Sequence, residues 1–213
     1  MRFLSLNLSQ QPLYPEILTR VQNGQKLMDV GCCFGQDIRK LVFDGAPAQN
    51  LYGLDLNDKF INLGYKLFRD NETLKASFVT GNLQDDSSDV SSVEGKMDII
   101  SIISFLHLFD WDGQIKAAKR LVALSAPKKG SVIMGRQLGS SVGEVFTSLD
   151  GVSKNYRHNI ASFERFWKQV GEETNTNWRA ESWLYDDDLV DSNQSVAWAT
   201  PNMQMIGFTV YRE

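Results

Sequence analysis

Leu27–Asp37 reads LMDVGCCFGQD, and the order of residues within it decides the fold. A short apolar run, Lys26 to Val30, stops at Gly31; from Gln36 to Phe43 apolar residues return at helical spacing through Ile38, Leu41 and Val42. Strand, glycine turn and helix therefore follow one another directly. Gly31 lets the backbone turn sharply at the strand end, and Gly35 lets the following helix approach closely. The unpaired amides at the helix start can face a ligand that carries a carboxylate. A tight strand-to-helix turn in any α/β protein is the plainer alternative.

Outward from this loop, Asn50 to Leu56 (NLYGLDL) reads as a second strand and Asp58 to Phe68 as a helix. Ala76 to Val79 is a third strand. Met97 to Ser104 (MDIISIIS) is the most apolar, β-branched run and predicts a central strand buried on both faces. Trp111 to Ser125 follows as a helix that stops before Pro127 and Gly130, and Ser131 to Gly135 is a fifth strand. From Gln137 to Asn159 glycines and serines weaken the pattern, which predicts a mobile covering segment. Ala161 to Val170 is again helical, while Trp178 to Tyr185 and Met203 to Arg212 are strand-like and predict a terminal antiparallel pair. The alternation implies an α/β fold with helices on both faces of a mostly parallel sheet. With no repeat and no second-domain linker, residues 1–213 are expected to form one domain, with 137–160 covering a substrate.

The bulk numbers narrow the function. A chain of 213 residues, 42% hydrophobic, can bury a real core. A net charge of -4 and a pI near 5.3 provide no broad basic surface for nucleic acid. No apolar run reaches the roughly 18 residues that span a bilayer, and the first residues lack the apolar core and cleavage site of a signal peptide. The only cysteines, Cys32 and Cys33, are adjacent, which suits neither a disulfide framework nor a metal site. These features point to a cytoplasmic protein. Asp186-Asp187-Asp188 reads as a solvated turn, so no metal is expected.

A dinucleotide site would show three glycines spaced G-x-G-x-x-G to take a pyrophosphate; here Gly31 and Gly35 stand alone. Asp29 at the strand end suits the cationic amino or sulfonium side of S-adenosylmethionine better than two phosphates. Asp55 closes the second strand, on the order of twenty residues beyond the loop, where an acidic side chain accepts hydrogen bonds from ribose hydroxyls. After the third strand, the Asn82 amide can address an adenine edge and Leu83 can pack on its face, although Asn82 can equally be a turn residue. Cys32 and Leu56, beside the loop and Asp55, complete the candidate cofactor residues. His107, just after the fourth strand, lies where such sheets present their carboxyl edge to ligands.

The order of LMDVGCCFGQDIRKL, NLYGLDL, TGNL, MDIISIISFLHLFDW and SVIMGRQLG resembles the class I S-adenosylmethionine-dependent methyltransferases. More narrowly, GCCFGQDIRKLVFDGAPAQNLYGLDL and YRHNIASFERFW are similar to the fungal secondary-metabolite methyltransferases of meroterpenoid pathways. The resemblance, over Leu13 to Arg212, implies a Rossmann-like seven-stranded sheet and a cofactor pocket at Asp29, Gly31, Gly35, Asp55, Asn82 and Leu83. It also implies methylation of a carboxyl or hydroxyl oxygen on a polyketide-terpenoid intermediate, with S-adenosylhomocysteine as product. Cys33 stands where many class I enzymes have another glycine, and the fungal group shares this Cys-Cys pair. Fungal relatives carry a longer N-terminal segment than the one before Tyr14-Pro15, which predicts a more open pocket or one closed by a partner subunit.

Methyl transfer from a sulfonium is a direct displacement, so the protein's task is to align the acceptor oxygen and exclude water. A carboxylate acceptor, with a pKa near ~4, is already ionised and needs only orienting donors. Arg136 and Gln137 after the fifth strand, and Tyr156, Arg157 and His158 near the covering segment, are the candidates. A phenol, with a pKa near ~10, would profit from a base, for which His107 or His158 is the natural choice. Surface pairing of the arginines and helix capping by His158 are the alternatives. The expected partner is an apolar small molecule bearing a carboxylate or phenol, and a homodimer is left open. The competing reading is a protein of this fold that binds S-adenosylmethionine without transferring methyl groups, as a cyclisation catalyst or structural partner.

Overall fold

In the computed structural model, which describes residues 4–85, 88, 90–148, 151–185 and 201–213, the chain divides into two units: Met1–Ile103 with Ala123–Pro127, and Ser104–Val122 with Lys128–Glu213. The first begins with α1 (Tyr14–Gln22), β1 (Leu27–Val30), α2 (Gln36–Phe43), β2 (Leu51–Asp55), α3 (Asp58–Phe68), β3 (Ser77–Thr80) and β4 (Ile99–Ile103). Leu27 lies opposite both Leu51 and Ile99, so β1 pairs in parallel with β2 and β4; β2 in turn pairs in parallel with β3, Tyr52 opposite Ser77. Leu27, Met28, Leu51, Ile99 and Ile100 are wholly buried, as their continuous apolar character requires of strands covered on both faces.

Helices α2 and α3 keep the bounds their periodicity implies. The Asn57 side chain accepts from the Lys59 amide at 3.0 Å to cap α3. Helix α1 is missing from the sequence reading. Its nine residues carry few apolar positions, yet Ile17 and Val21 are completely buried, each contributing about 1.5–3 kcal/mol. Pro15 stands at its first turn, where a missing amide costs nothing.

The chain continues through α4 (Trp111–Leu124), β5 (Val132–Ser140), β6 (Glu144–Thr147), β7 (Lys154–Arg157), α5 (Ile160–Thr174), β8 (Trp178–Tyr185) and β9 (Met203–Arg212). Strand β9 runs antiparallel to both β5 and β8. The sheet order is β3-β2-β1-β4-β5-β9-β8: the mostly parallel seven-stranded sheet with a terminal antiparallel pair that the sequence predicts. Residues 186–188 lie outside the described residues.

Two expectations need correction. The fifth strand does not stop at Gly135 but runs on to Ser140, because β9 offers partners along its whole length, from Val132 opposite Tyr211 to Ser140 opposite Met203. The segment from Gln137 is accordingly regular: the end of β5, then the antiparallel pair β6–β7 with Glu144 opposite Arg157. Pairing between distant residues supplies what the local glycines and serines do not signal. Asn159, rather than His158, caps α5, accepting from the Ser162 amide at 2.8 Å while Ser162 Oγ accepts from the Asn159 amide at 3.0 Å.

Candidate functional site

In the first unit, the loop after β1 is held by main-chain bonds before any side chain acts. The Gly31 and Cys32 amides both donate to the Leu54 carbonyl, at 2.8 and 3.1 Å, and the Gly35 amide donates to Cys32 at 2.7 Å. The turn requires positive φ at Gly31 (73°), at Cys33 (51°) and at Gly35 (67°), which caps α2. Cys33 bears a Cβ in a conformation that favours glycine. At Gly35 a Cβ would stand 2.8 Å from Arg39 Nη1 and 2.9 Å from the Phe78 ring, so glycine is also needed for space.

Asp55, at the end of β2, ties three segments together. Its Oδ2 accepts from the Cys33 amide at 2.8 Å, its Oδ1 from the Asn57 amide at 3.0 Å, and its carbonyl from the Gly81 amide at 3.0 Å. Each carboxylate oxygen keeps a further lone pair for an outside donor. Asn82 behaves as a turn residue: its side-chain oxygen accepts from the Gln84 amide at 2.8 Å, and its amide donates to Ser88 Oγ at 2.8 Å. Leu83 is buried in the core at 2% exposure, whereas Leu56 beside Asp55 is 66% exposed. The apolar surface next to the ribose candidate is thus that of Leu56.

Four carboxylates of this unit are buried, Asp29, Asp37, Asp55 and Asp98, and the first three interact electrostatically. Burial, with the neighbouring Asp37 adding to it, holds the Asp29 carboxyl well above the usual range. Ser101 faces Asp29 in register across β1 and β4. Asp37, which the sequence reading passed over, accepts from the Leu8 amide at 3.1 Å. Burial raises both cysteine thiols, Cys32 the further, with Asp29 adding to it, so neither is a ready nucleophile. Among the described residues no group of three or more His, Cys, Asp or Glu could hold a metal ion. An anionic donor set beside a turned backbone suits an organic cation, and S-adenosylmethionine carries two positive centres beside its ribose and carboxylate. The residues fit that group.

The other candidates lie in the second unit. His107 sits in a short turn, Leu106–Leu108. Its Nδ1 is buried with no hydrogen-bond partner among the described residues, and burial, then the charge of Arg157, lowers its pKa to about 4. Gln137 is 1% exposed, with both amide atoms likewise buried and unpartnered among the described residues. Arg136 Nη1 reaches Tyr185 Oη at 3.5 Å. Arg157 is 3% exposed, stacks 3.7 Å from the Phe146 ring centroid and pairs across the hairpin with Glu144.

His158 is completely buried and bonded at both ring nitrogens, Nδ1 to Ser162 Oγ and Nε2 to Gln114 Oε1, each at 3.1 Å. Gln114, also missed from sequence, spends its amide nitrogen on the carbonyls of Phe109 (3.1 Å) and Tyr156 (2.8 Å). Its oxygen therefore accepts, and Nε2 of His158 carries the proton. Trp111, Tyr156, Phe163 and Phe166 surround the imidazole at 4.9–5.5 Å. Burial lowers its pKa to about 3. Tyr156 shares this network rather than standing free.

Glycine loop, acidic strand ends and strand order together define a class I methyltransferase fold. A solved S-adenosylmethionine-dependent methyltransferase from Mesorhizobium loti shares that fold with a TM-score of 0.59 at 12% identity, over 96% of this chain and 100% of that one. No family model matches the chain. It is 45% identical to the O-methyltransferase phiE of a fungal species over 83% of its own length and 59% of that of phiE. It is 40% identical to the methyltransferase adrK of Penicillium rubens over 99% of its own length and 75% of that of adrK. The chain belongs to this family of fungal secondary-metabolite methyltransferases.

Proposed function

We propose that this chain is an S-adenosylmethionine-dependent O-methyltransferase acting on a carboxyl or hydroxyl group of a small polyketide-terpenoid intermediate. The observation that carries the reading is Asp55, whose carboxylate secures the glycine loop and keeps free lone pairs where a ribose would lie. S-adenosylmethionine supplies an electrophilic methyl group on a sulfonium and leaves as S-adenosylhomocysteine. Asp29 and the turned backbone at Gly31, Cys32 and Gly35 would hold its cationic and carboxylate side. Asp55 would hold the ribose, and Leu56, with Asn82 and Leu83, the adenine side.

Of the two acceptor classes, a carboxylate is favoured. A phenol with a pKa near ~10 needs a base, and an imidazole that binds its proton near pH 4 is a poor one. Neutral His107, the Gln137 amide and the guanidinium groups of Arg136 and Arg157 can instead orient an ionised acid by hydrogen bonds. His158, closed in by four rings, positions Tyr156 and Arg157 rather than moving a proton. In this reading residues 1–213 act as one cytoplasmic domain, 137–160 cover an apolar acceptor bearing a carboxylate or phenol, nucleic acid is no partner, and the chain can dimerise. Within the described residues no helix is long and apolar enough to cross a membrane.

Calorimetry with S-adenosylmethionine, S-adenosylhomocysteine and NADH tests the cofactor: both sulfur ligands should bind and NADH should not. Asp55→Ala, checked for folding by circular dichroism, should weaken the sulfur ligands by roughly a hundredfold. Labelled methyl groups must then appear in an acceptor. Binding without transfer would favour the cyclisation or structural role instead.

A further inference from the structure

We propose that the chain forms a twofold homodimer by antiparallel pairing of β8 with β8 of a second copy, in the register that sets Ala180 opposite Ala180. Strand β8 ends the sheet order and, among the described residues, pairs with β9 alone. An edge strand presents a row of main-chain donors and acceptors, which proteins usually blunt with proline, a bulge, very short length or charges of one sign; β8 carries one charge of each sign, Arg179 and Glu181. Strand β8 is eight residues long, WRAESWLY, without proline or glycine. A groove of about 640 Å³, lined by Trp167, Lys168 and Gly171 of α5 and by Trp178, Arg179 and Ala180, lies alongside it.

The charges choose the partner and the register. Arg179 and Glu181 stand two residues apart on one face of β8, ion-paired with each other along the strand, their side chains each 52% exposed and open to a second copy. The Tyr211 ring, 4.8 Å from the guanidinium, keeps Arg179 on that face. Glu213 Oε1, 3.7 Å from Arg179 Nε, adds a carboxylate beside it. A twofold axis perpendicular to the sheet preserves faces, so the register can shift only so that a residue meets its own copy. Centred on Arg179 the pairing sets Arg against Arg, and centred on Glu181 it sets Glu against Glu. Centred on Ala180, it places each Arg179 opposite the partner copy's Glu181 and each Glu181 opposite its Arg179. Opposite charges directly across strands stabilise and like charges destabilise, so the strand is complementary to itself in one register. The interface is isologous and closes at two copies. It takes up the homodimer named above but does not depend on methyl transfer.

Sedimentation velocity and light scattering on the full chain up to about 100 µM should show twice the 24.1 kDa chain mass. Arg179→Glu and Glu181→Arg should each weaken the dimer roughly tenfold or more, since each sets like charges across the axis. The two single variants mixed together should pair with each other, and the double variant R179E/E181R should dimerise with itself again. Circular dichroism and S-adenosylhomocysteine binding at the Asp55 site serve as folding controls. A monomeric native chain, or a dimer that both single substitutions leave intact, overturns the proposal. Failure of cofactor binding with the dimer intact would count against the methyltransferase reading alone.

Discussion

Asp29 carries its charge into a buried position, and the cost is visible in its raised pKa. The unfolded chain releases this proton near pH ~4 and the folded chain only at higher pH, so the penalty begins near pH 4 and grows as pH rises. Asp29→Asn should therefore raise the melting temperature of the free protein, more at pH 8 than at pH 5, while weakening S-adenosylmethionine in calorimetry. A lower melting temperature at pH 8 would contradict this account. Asp29, Gly31, Gly35 and Asp55 were legible because a strand end and the turn beyond it have fixed places in the sequence pattern. Asp37, Ser101 and Gln114 were not, since each matters through a partner far along the chain.

At the scale of elements, the loop depends on how closely α3 approaches it. A Cβ at Gly64 would lie 2.3 Å from the Phe34 carbonyl oxygen, and neither helix nor loop backbone can give way easily. Gly64→Ala should cost about 1–3 kcal/mol in urea denaturation and weaken S-adenosylhomocysteine by displacing the loop. In the other unit, Gln114 connects the Phe109 and Tyr156 carbonyls with His158. Gln114→Met keeps the bulk but leaves the His158 N–H unpaired and takes one donor from each of the Phe109 and Tyr156 carbonyls, the former keeping the Tyr156 amide, a loss of about 1–3 kcal/mol in thermal unfolding. Hydrogen exchange at the Tyr156 amide, bonded to Phe109 at 3.0 Å, should quicken. Helical periodicity revealed α2, α3, α4 and α5, whereas β6 and β7 stayed hidden because their stabilising contacts are with each other and not with residues three or four positions away.

For the whole molecule, His107 and His158 set the response to acid. Both are held neutral by burial, with pKa values of about 4 and about 3 against an unfolded value of 6.5. Between pH 6.5 and pH 4 the unfolded chain binds protons that the folded chain does not, so their contribution is complete above pH 6.5 and is lost as pH falls toward 4. Their joint contribution should drop by on the order of a few kcal/mol over that interval, opposed by the relief of Asp29, and His158→Gln should remove its share of the drop. The glycine loop and the alternation of apolar segments were enough for the α/β class and the antiparallel end of the sheet, because these rest on local spacing, while the family was legible only as the resemblance of whole motifs such as GCCFGQDIRKLVFDGAPAQNLYGLDL. The length of β5, the hairpin beyond it, the closed surroundings of His158 and the exchange of Leu56 for Leu83 as the exposed apolar side chain were decided only in three dimensions. Burial and pairing depend on which distant residues arrive beside a side chain, and the spacing of its neighbours in sequence does not carry that information.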